Sequence, residues 1–264
     1  MISLFFYYTK LYFFNTLELL KTSVWKLNLR KTHRLQVFDN RYFTFKHFGI
    51  ITQLIYTRQH VVGKPQGFES ETLKRFSELV KNGDTVLDIG ANVGVFSLLG
   101  SKLVGETGKI YAFEPSQNTF NALTENLSLN NIKNVFPQRL ALSNTEGVIH
   151  LGAVENDALN FIDVKNKNTA GEAVEMTTLD KWLKINNLNK IDFIKIDIEG
   201  AELLCFKGAI EMLKNAPPTI LMECNEVWCK RFDYSVFDLL QFLHGFGYTF
   251  EQYEEAQWIC YTPQ

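Results

Sequence analysis

The sequence predicts an α/β fold, a doubly wound and mainly parallel sheet with helices on both faces. Three observations predict it. Residues 86–89 form a short apolar run that breaks into a turn carrying Gly90 and Gly94. A second run, residues 109–113, starts about twenty residues later and ends at Glu114-Pro115. Helical patterns then alternate with further apolar runs at 134–140, 191–196 and 219–222. Such βαβ alternation makes parallel pairing with right-handed crossovers the default.

The chain has 264 residues, 46% of them hydrophobic and 21% charged, which suits one large globular domain with an appendage. Residues 1–60 hold nine Lys/Arg against two Asp/Glu, a local balance of +7, while the rest of the chain carries −9. A basic arm on an acidic body suits an anionic surface, or is simply solvated. Residues 1–30 are aromatic, with Leu4, Phe5, Tyr8, Leu11 and Tyr12 at helical spacing and lysines beside them. The run is broken too early to span a bilayer and has no cleavage site of a secretory signal. It fits an interfacial helix, hence peripheral contact with the inner membrane face, or a helix packed on protein. Cys205, Cys224, Cys229 and Cys260 show no C-x-x-C pair and no zinc spacing with the histidines, so reduced thiols in a cytoplasmic protein are expected.

Taken in order, residues 1–66 read as an N-terminal helical and β extension, with short strands between Arg34 and His60. Residues 67–264 read as the main domain. Ser70 caps a helix to about Val80, with Leu73, Phe76, Leu79 and Val80 as its buried stripe. Helices are expected over 93–104 and 118–130. Residues 143–176 break the rhythm and read as an insertion over the sheet's carboxyl edge, with a strand at 148–151. Asp180 belongs to a helix N-terminal signal before Trp182, so it is read as a cap. One helix is expected from the Gly200 turn to about Leu213, another over 236–244, and a hairpin of residues 248–253 and 258–261 closes the chain.

A dinucleotide site needs a third glycine, which is missing, and Asp88 would repel a pyrophosphate. No G-x-x-x-x-G-K run exists either, so a P-loop is excluded. S-adenosylmethionine suits the turn better, because a carboxylate near its ammonium or sulfonium is favourable. Glu114 is placed to accept hydrogen bonds from both ribose hydroxyls.

The runs Asp88-Ile89-Gly90-Ala91-Asn92-Val93-Gly94-Val95-Phe96-Ser97, Ala112-Phe113-Glu114-Pro115, Ala141-Leu142-Ser143, Thr178-Leu179-Asp180 and Lys195-Ile196-Asp197-Ile198-Glu199-Gly200-Ala201-Glu202 together resemble the FkbM family of methyltransferases. The resemblance covers roughly residues 67–225. It implies a Rossmann-like, seven-stranded class I methyltransferase fold with S-adenosylmethionine as donor, and commonly O-methyl transfer to a sugar or polyketide hydroxyl. Donor contacts are then expected from Asp88, Gly90, Asn92, Gly94, Phe96, Glu114, Pro115, Ser116, Ala141 and Asp197.

Methyl transfer is an in-line displacement, and a sugar hydroxyl benefits from a base or a cation as its proton leaves. Asp197, Glu199 and Glu223 end neighbouring strands and are expected to converge. They serve as a general base, with Asp197 favoured, or as oxygen ligands for Mg²⁺. Glu202 falls in a helix's first turn, where the dipole alone favours an acid. Of His33, His47, His60, His150 and His244, only His150 lies near the expected acceptor side. The rival readings are an RNA methyltransferase using the basic arm, a dehydrogenase, disfavoured because Asp88 would repel a pyrophosphate, and a membrane-associated, non-catalytic binding protein. Nucleic acid is disfavoured by the two acids of Asp-Ile-Glu-Gly, where a stacking aromatic is wanted.

Overall fold

The computed structural model describes residues 42–47, 50–55, 70–151 and 171–262. The chain falls into two units, Met1–Arg41 and Tyr42–Gln264. The first unit lies outside the described residues, and so do the expected interfacial helix and the polar stretch 152–170. The strands expected before His60 include a hairpin, β1 (Tyr42–His47) paired antiparallel with β2 (Ile50–Ile55).

The main sheet begins after helix α1 (Ser70–Leu79), with β3 (Thr85–Ile89), α2 (Val95–Leu103), β4 (Lys109–Phe113), α3 (Gln117–Leu129) and β5 (Val135–Gln138). A small sheet of β6 (Ala141–Leu142), β7 (Gly147–Leu151) and β8 (Glu172–Thr177) follows, in the order β6-β8-β7. The chain continues through α4 (Leu179–Ile185), β9 (Phe193–Ile196), α5 (Glu202–Lys207), α6 (Ile210–Asn215) and β10 (Thr219–Glu223). It finishes with α7 (Glu226–Cys229), α8 (Val236–His244), β11 (Thr249–Glu254) and β12 (Gln257–Tyr261).

Seven strands form one mixed sheet in the order β11-β12-β10-β9-β3-β4-β5. Only β12 is reversed, antiparallel to both β10 and β11. This is the seven-stranded class I arrangement expected. Strand order reverses between β3 and β9, so a crevice opens outside their carboxyl ends, where open α/β sheets bind ligands.

Alternation along each strand builds two cores. Leu87, Ile89, Ile194, Ile196, Ile220 and Met222 face α4, α5, α6 and α8, where Trp182, Phe206, Leu213 and Leu239 meet them. Val86, Ile110, Ala112, Phe193 and Leu221 face α1, α2 and α3 through Phe76, Leu98, Leu99 and Leu123. Strands buried on both faces are nearly all apolar. Asp88 and Lys195, paired in register on β3 and β9, break that rule.

Several expectations need correction. The helix expected to run to Leu213 is two, α5 and α6, because Gly208 passes so close to the Ser143 carbonyl that a Cβ there would lie 2.0 Å from its oxygen. Helix α2 starts at Val95, since Gly94 holds φ 94 as its N-cap. Asp180 does cap a helix, but a different one: its carboxylate accepts from Glu211 N and Met212 N at 2.8 and 3.0 Å, at the start of α6. Thr178 caps α4 itself, accepting from Lys181 N. The end of the chain is the expected hairpin, β11 with β12. Among the described residues, no helix is long and apolar enough to cross a membrane.

Candidate active site

The turn after β3 is folded over the end of β4. The Gly90 and Ala91 N–H groups both donate to the Phe113 carbonyl, at 3.0 and 2.9 Å. Gly90, Asn92 and Gly94 take φ of 83, 50 and 94, the left-handed region that glycine and asparagine enter most readily. Gly90 is required for a second reason: a Cβ would lie 1.9 Å from the backbone oxygen of Asp197, so the turn can rest on the neighbouring strand's end only without a side chain.

Glu114 follows β4 and is 6% exposed. One carboxylate oxygen accepts from Asn92 N and the other from Ser116 N, both at 3.0 Å. The side chain therefore ties the Gly90–Gly94 turn to the start of α3, whose N-cap is Ser116. Burial pushes the carboxyl up to about 7, and the two backbone donors oppose that rise. Each oxygen keeps a further acceptor position, so ligand hydroxyls can still be received.

Asp88 and Lys195 form the polar heart of the sheet. Ser97 Oγ donates to Asp88 Oδ2 at 2.6 Å, while Oδ1 is buried without a hydrogen-bond partner. Burial raises the Asp88 carboxyl, and the Lys195 ammonium partly holds it down. Lys195 Nζ lies 3.1 Å from Asp197 Oδ2 and 4.7 Å from the centre of the Phe96 ring. One ammonium thus serves an acid inside the sheet and an acid at its edge.

The structure places Asp197 one residue past β9 and Glu223 at the end of β10. Glu199 sits in the turn from β9 to α5, at φ 53, followed by Gly200 at φ 104. Glu199 Oε2 is buried without a hydrogen-bond partner. Burial pushes Glu199 up to about 7, the Asp197 charge adds to the rise, and Arg231 opposes it. Glu223 is raised by burial and then by Asp197, against a hydrogen bond from Gln257 Nε2 to its Oε2 at 2.7 Å. These mutual effects bring the three acids into one electrostatic neighbourhood. Their oxygens do not form a compact ligand set, whereas Glu202, Cys224 and Cys229 do, with ligand atoms within 4.8 Å of one another.

Sequence reasoning missed how the Glu199 turn is held. Glu202 accepts from Ile198 N and Gly200 N at 3.0 and 3.2 Å, and Tyr234 Oη donates to the Gly200 carbonyl at 2.6 Å. Lys195 was not missed: a charged residue within the otherwise apolar run 193–196 reads as a buried ion-pair partner, and its ammonium pairs with Asp197. Tyr234 had no such signal. Phe96 lies in the core beneath the Lys195 ammonium, Pro115 is half-buried beside Glu114, and Ala141 packs with Leu151 and Val174 in the small sheet. His150 pairs in register with Ala173 in that same sheet.

Comparison with known proteins identifies the family. Residues 88–250 match the Methyltransferase FkbM domain. Hexuronic acid methyltransferase AglP of Haloferax volcanii is 27% identical over 148 residues, 56% of this chain and 59% of that protein. Methyltransferase sdnD of Sordaria araneosa is 31% identical over 157 residues, 48% of this chain and 60% of that protein. The chain thus spans 59 to 60% of the length of these relatives. The crystal structure of methyltransferase FkbM from Methylobacillus flagellatus superposes with a TM-score of 0.49 at 14% identity, covering 73% of this chain and 51% of that one. With a matched segment that runs from Asp88 in β3 into β11, more than half of its length, the chain belongs to the FkbM methyltransferase family.

Proposed function

We propose that this chain transfers a methyl group from S-adenosylmethionine to a hydroxyl of a saccharide, glycolipid or related small-molecule acceptor. One observation carries the reading: buried Glu114 and the edge acid Asp197 flank the same glycine turn at the sheet's switch point. A buried carboxylate whose oxygens still have acceptor positions fits a ribose diol. Asp88 keeps one buried carboxyl oxygen without a hydrogen-bond partner, which suits contact with a cationic donor. When bound, the donor supplies an electrophilic methyl group on a sulfonium.

The chain's own residues do the rest. Glu114, with Asn92, Gly94, Pro115 and Ser116 around it, holds the ribose side. Gly90 keeps the turn against the end of β9, beside Asp197. Asp197, anchored by Lys195, accepts the proton of the acceptor hydroxyl. Glu199 and Glu223 surround it with acidic groups that disfavour a phosphate backbone and suit a polyhydroxylated ring. The cations Lys195 and Arg231 stand beside these acids, which supports a general base over a bound Mg²⁺. The name of AglP, a hexuronic acid methyltransferase, supports a saccharide acceptor. In this reading residues 67–264 carry the reaction, and the basic, aromatic residues 1–66 bring the protein to an acceptor at the inner membrane face.

The test is transfer of labelled methyl from S-adenosylmethionine to cell-surface glycan fractions and to total RNA. Label in glycan is expected, and label in RNA alone overturns the reading. Asp197→Asn should bind S-adenosylhomocysteine nearly as the parent does while turnover falls about 10²-fold or more. Parent-like turnover removes Asp197 from the chemistry.

A further inference from the structure

We infer that Glu202, Cys224 and Cys229 form a binding site for a thiophilic divalent cation such as zinc. The three residues come from the start of α5, the position just after β10 and the end of α7, and their ligand atoms lie within 4.8 Å of one another. All three are buried, at 1%, 2% and 0% exposure. Among the described residues, no lysine or arginine makes an ion pair with Glu202. A carboxyl group and two thiols gathered away from water, without a paired cation, are what a soft divalent ion completes.

The carboxylate is already oriented for the task. Ile198 N and Gly200 N both donate to Oε1, and Tyr234 Oη lies 3.2 Å from Oε2. Fixing a ligand through such outer contacts is what metal sites require. Cys224 and Cys229 have four residues between them, within the C-x₂₋₄-C spacing of zinc sites.

Distance separates this reading from a disulfide. The two Sγ atoms are 3.4 Å apart. A disulfide needs about 2.05 Å, a contraction of about 1.3 Å. Tetrahedral thiolates at about 2.3 Å from zinc stand about 3.8 Å apart, an opening of about 0.4 Å. Binding would release the two thiol protons to solvent. The ion would also brace the acid turn, because the Trp228 carbonyl of α7 packs against Gly200 so closely that a Cβ there would lie 2.4 Å from its oxygen.

The experiment uses the full chain, saturated with zinc, desalted and measured by elemental mass spectrometry. About one zinc per chain is expected, falling below about 0.1 in Cys224→Ser and in Cys229→Ser and unchanged in Cys260→Ala. Cobalt substitution of the parent should give thiolate-to-metal charge-transfer absorption, a readout that survives even if the cysteine variants fail to fold. Absence of both retained zinc and that absorption overturns the site. So does a Cys224–Cys229 disulfide in the protein mapped without reductant.

Discussion

Lys195 Nζ lies 3.1 Å from Asp197 Oδ2 while its own side chain is 5% exposed, so a buried ammonium holds the edge acid from within the sheet. Removing one partner of such a pair is costly because the other is left uncompensated; burial already raises Asp88, and the Lys195 charge opposes that rise together with the Ser97 hydrogen bonds. Lys195→Met should therefore destabilise the fold by about 3 kcal/mol, measured by urea unfolding. Its turnover should fall while the KM for acceptor changes less, since Asp197 loses its anchor. A loss confined to KM would remove the anchoring role.

The buried acids set a pH dependence of stability. Glu114, Glu199 and Glu202 are each pushed up to about 7, chiefly by burial. A raised carboxyl binds its proton more tightly in the folded chain, so the folded state holds more protons than the unfolded one between about pH 4.5 and 7. The stability they contribute is complete below that window and is lost as pH rises through about 7. The melting temperature of the ligand-free protein should accordingly fall across this window, and Glu114→Gln should flatten the slope. A melting temperature that rises steadily from pH 5 to 7 would contradict the assignment.

Gly90→Ala tests the contact between the two halves of the site. The residue sits at φ 83, and its new methyl would lie 1.9 Å from the Asp197 carbonyl oxygen. Backbone cannot yield as a flexible side chain does, so a cost of about 3 kcal/mol or more is expected, with loss of S-adenosylhomocysteine binding in calorimetry. Gly245→Ala is the control: its φ is −60 and its nearest neighbour would be 3.2 Å away. It should change stability by no more than about 1 kcal/mol.

The sheet was legible in the sequence because strands buried on both faces are nearly continuous apolar runs, and those runs match β3, β4, β9 and β10. Asp88, Glu114, Asp197 and Glu223 were legible for a related reason: an acid ending such a run stands at the sheet edge, or breaks the run visibly. The break between α5 and α6 was not. A glycine inside a helical pattern costs only about 1 kcal/mol, and what decides at Gly208 is the Ser143 carbonyl, over sixty residues away in the chain. The same holds for Asp180, whose N-terminal signal was right while its helix was not, because a carboxylate can cap whichever helix start tertiary packing presents. Tyr234, Gln257 and the grouping of Cys224 and Cys229 with Glu202 likewise exist only once distant elements meet.

Tyr234 carries the last prediction. Its hydroxyl donates to the Gly200 carbonyl at 2.6 Å and receives Leu203 N at 3.4 Å, and the side chain is buried. Glu199 and Gly200 both hold positive φ, so their turn persists because its surroundings over-determine it. Tyr234→Phe keeps the ring and removes only the hydroxyl, leaving a buried carbonyl without that donor at a cost of about 1 to 2 kcal/mol. With that tie gone, the turn should sample conformations that carry Glu199 and Asp197 off their positions. Turnover is then expected to fall about 10-fold while S-adenosylhomocysteine binding stays near the parent value, because Glu114 and the Gly90 turn lie on the other side of Asp197. Amide hydrogen exchange of residues 198–200 supplies the independent check. Faster exchange there, with β3 and β4 unchanged, places the defect in the turn. Unchanged exchange with lost turnover would instead mean that Tyr234 touches the reaction itself.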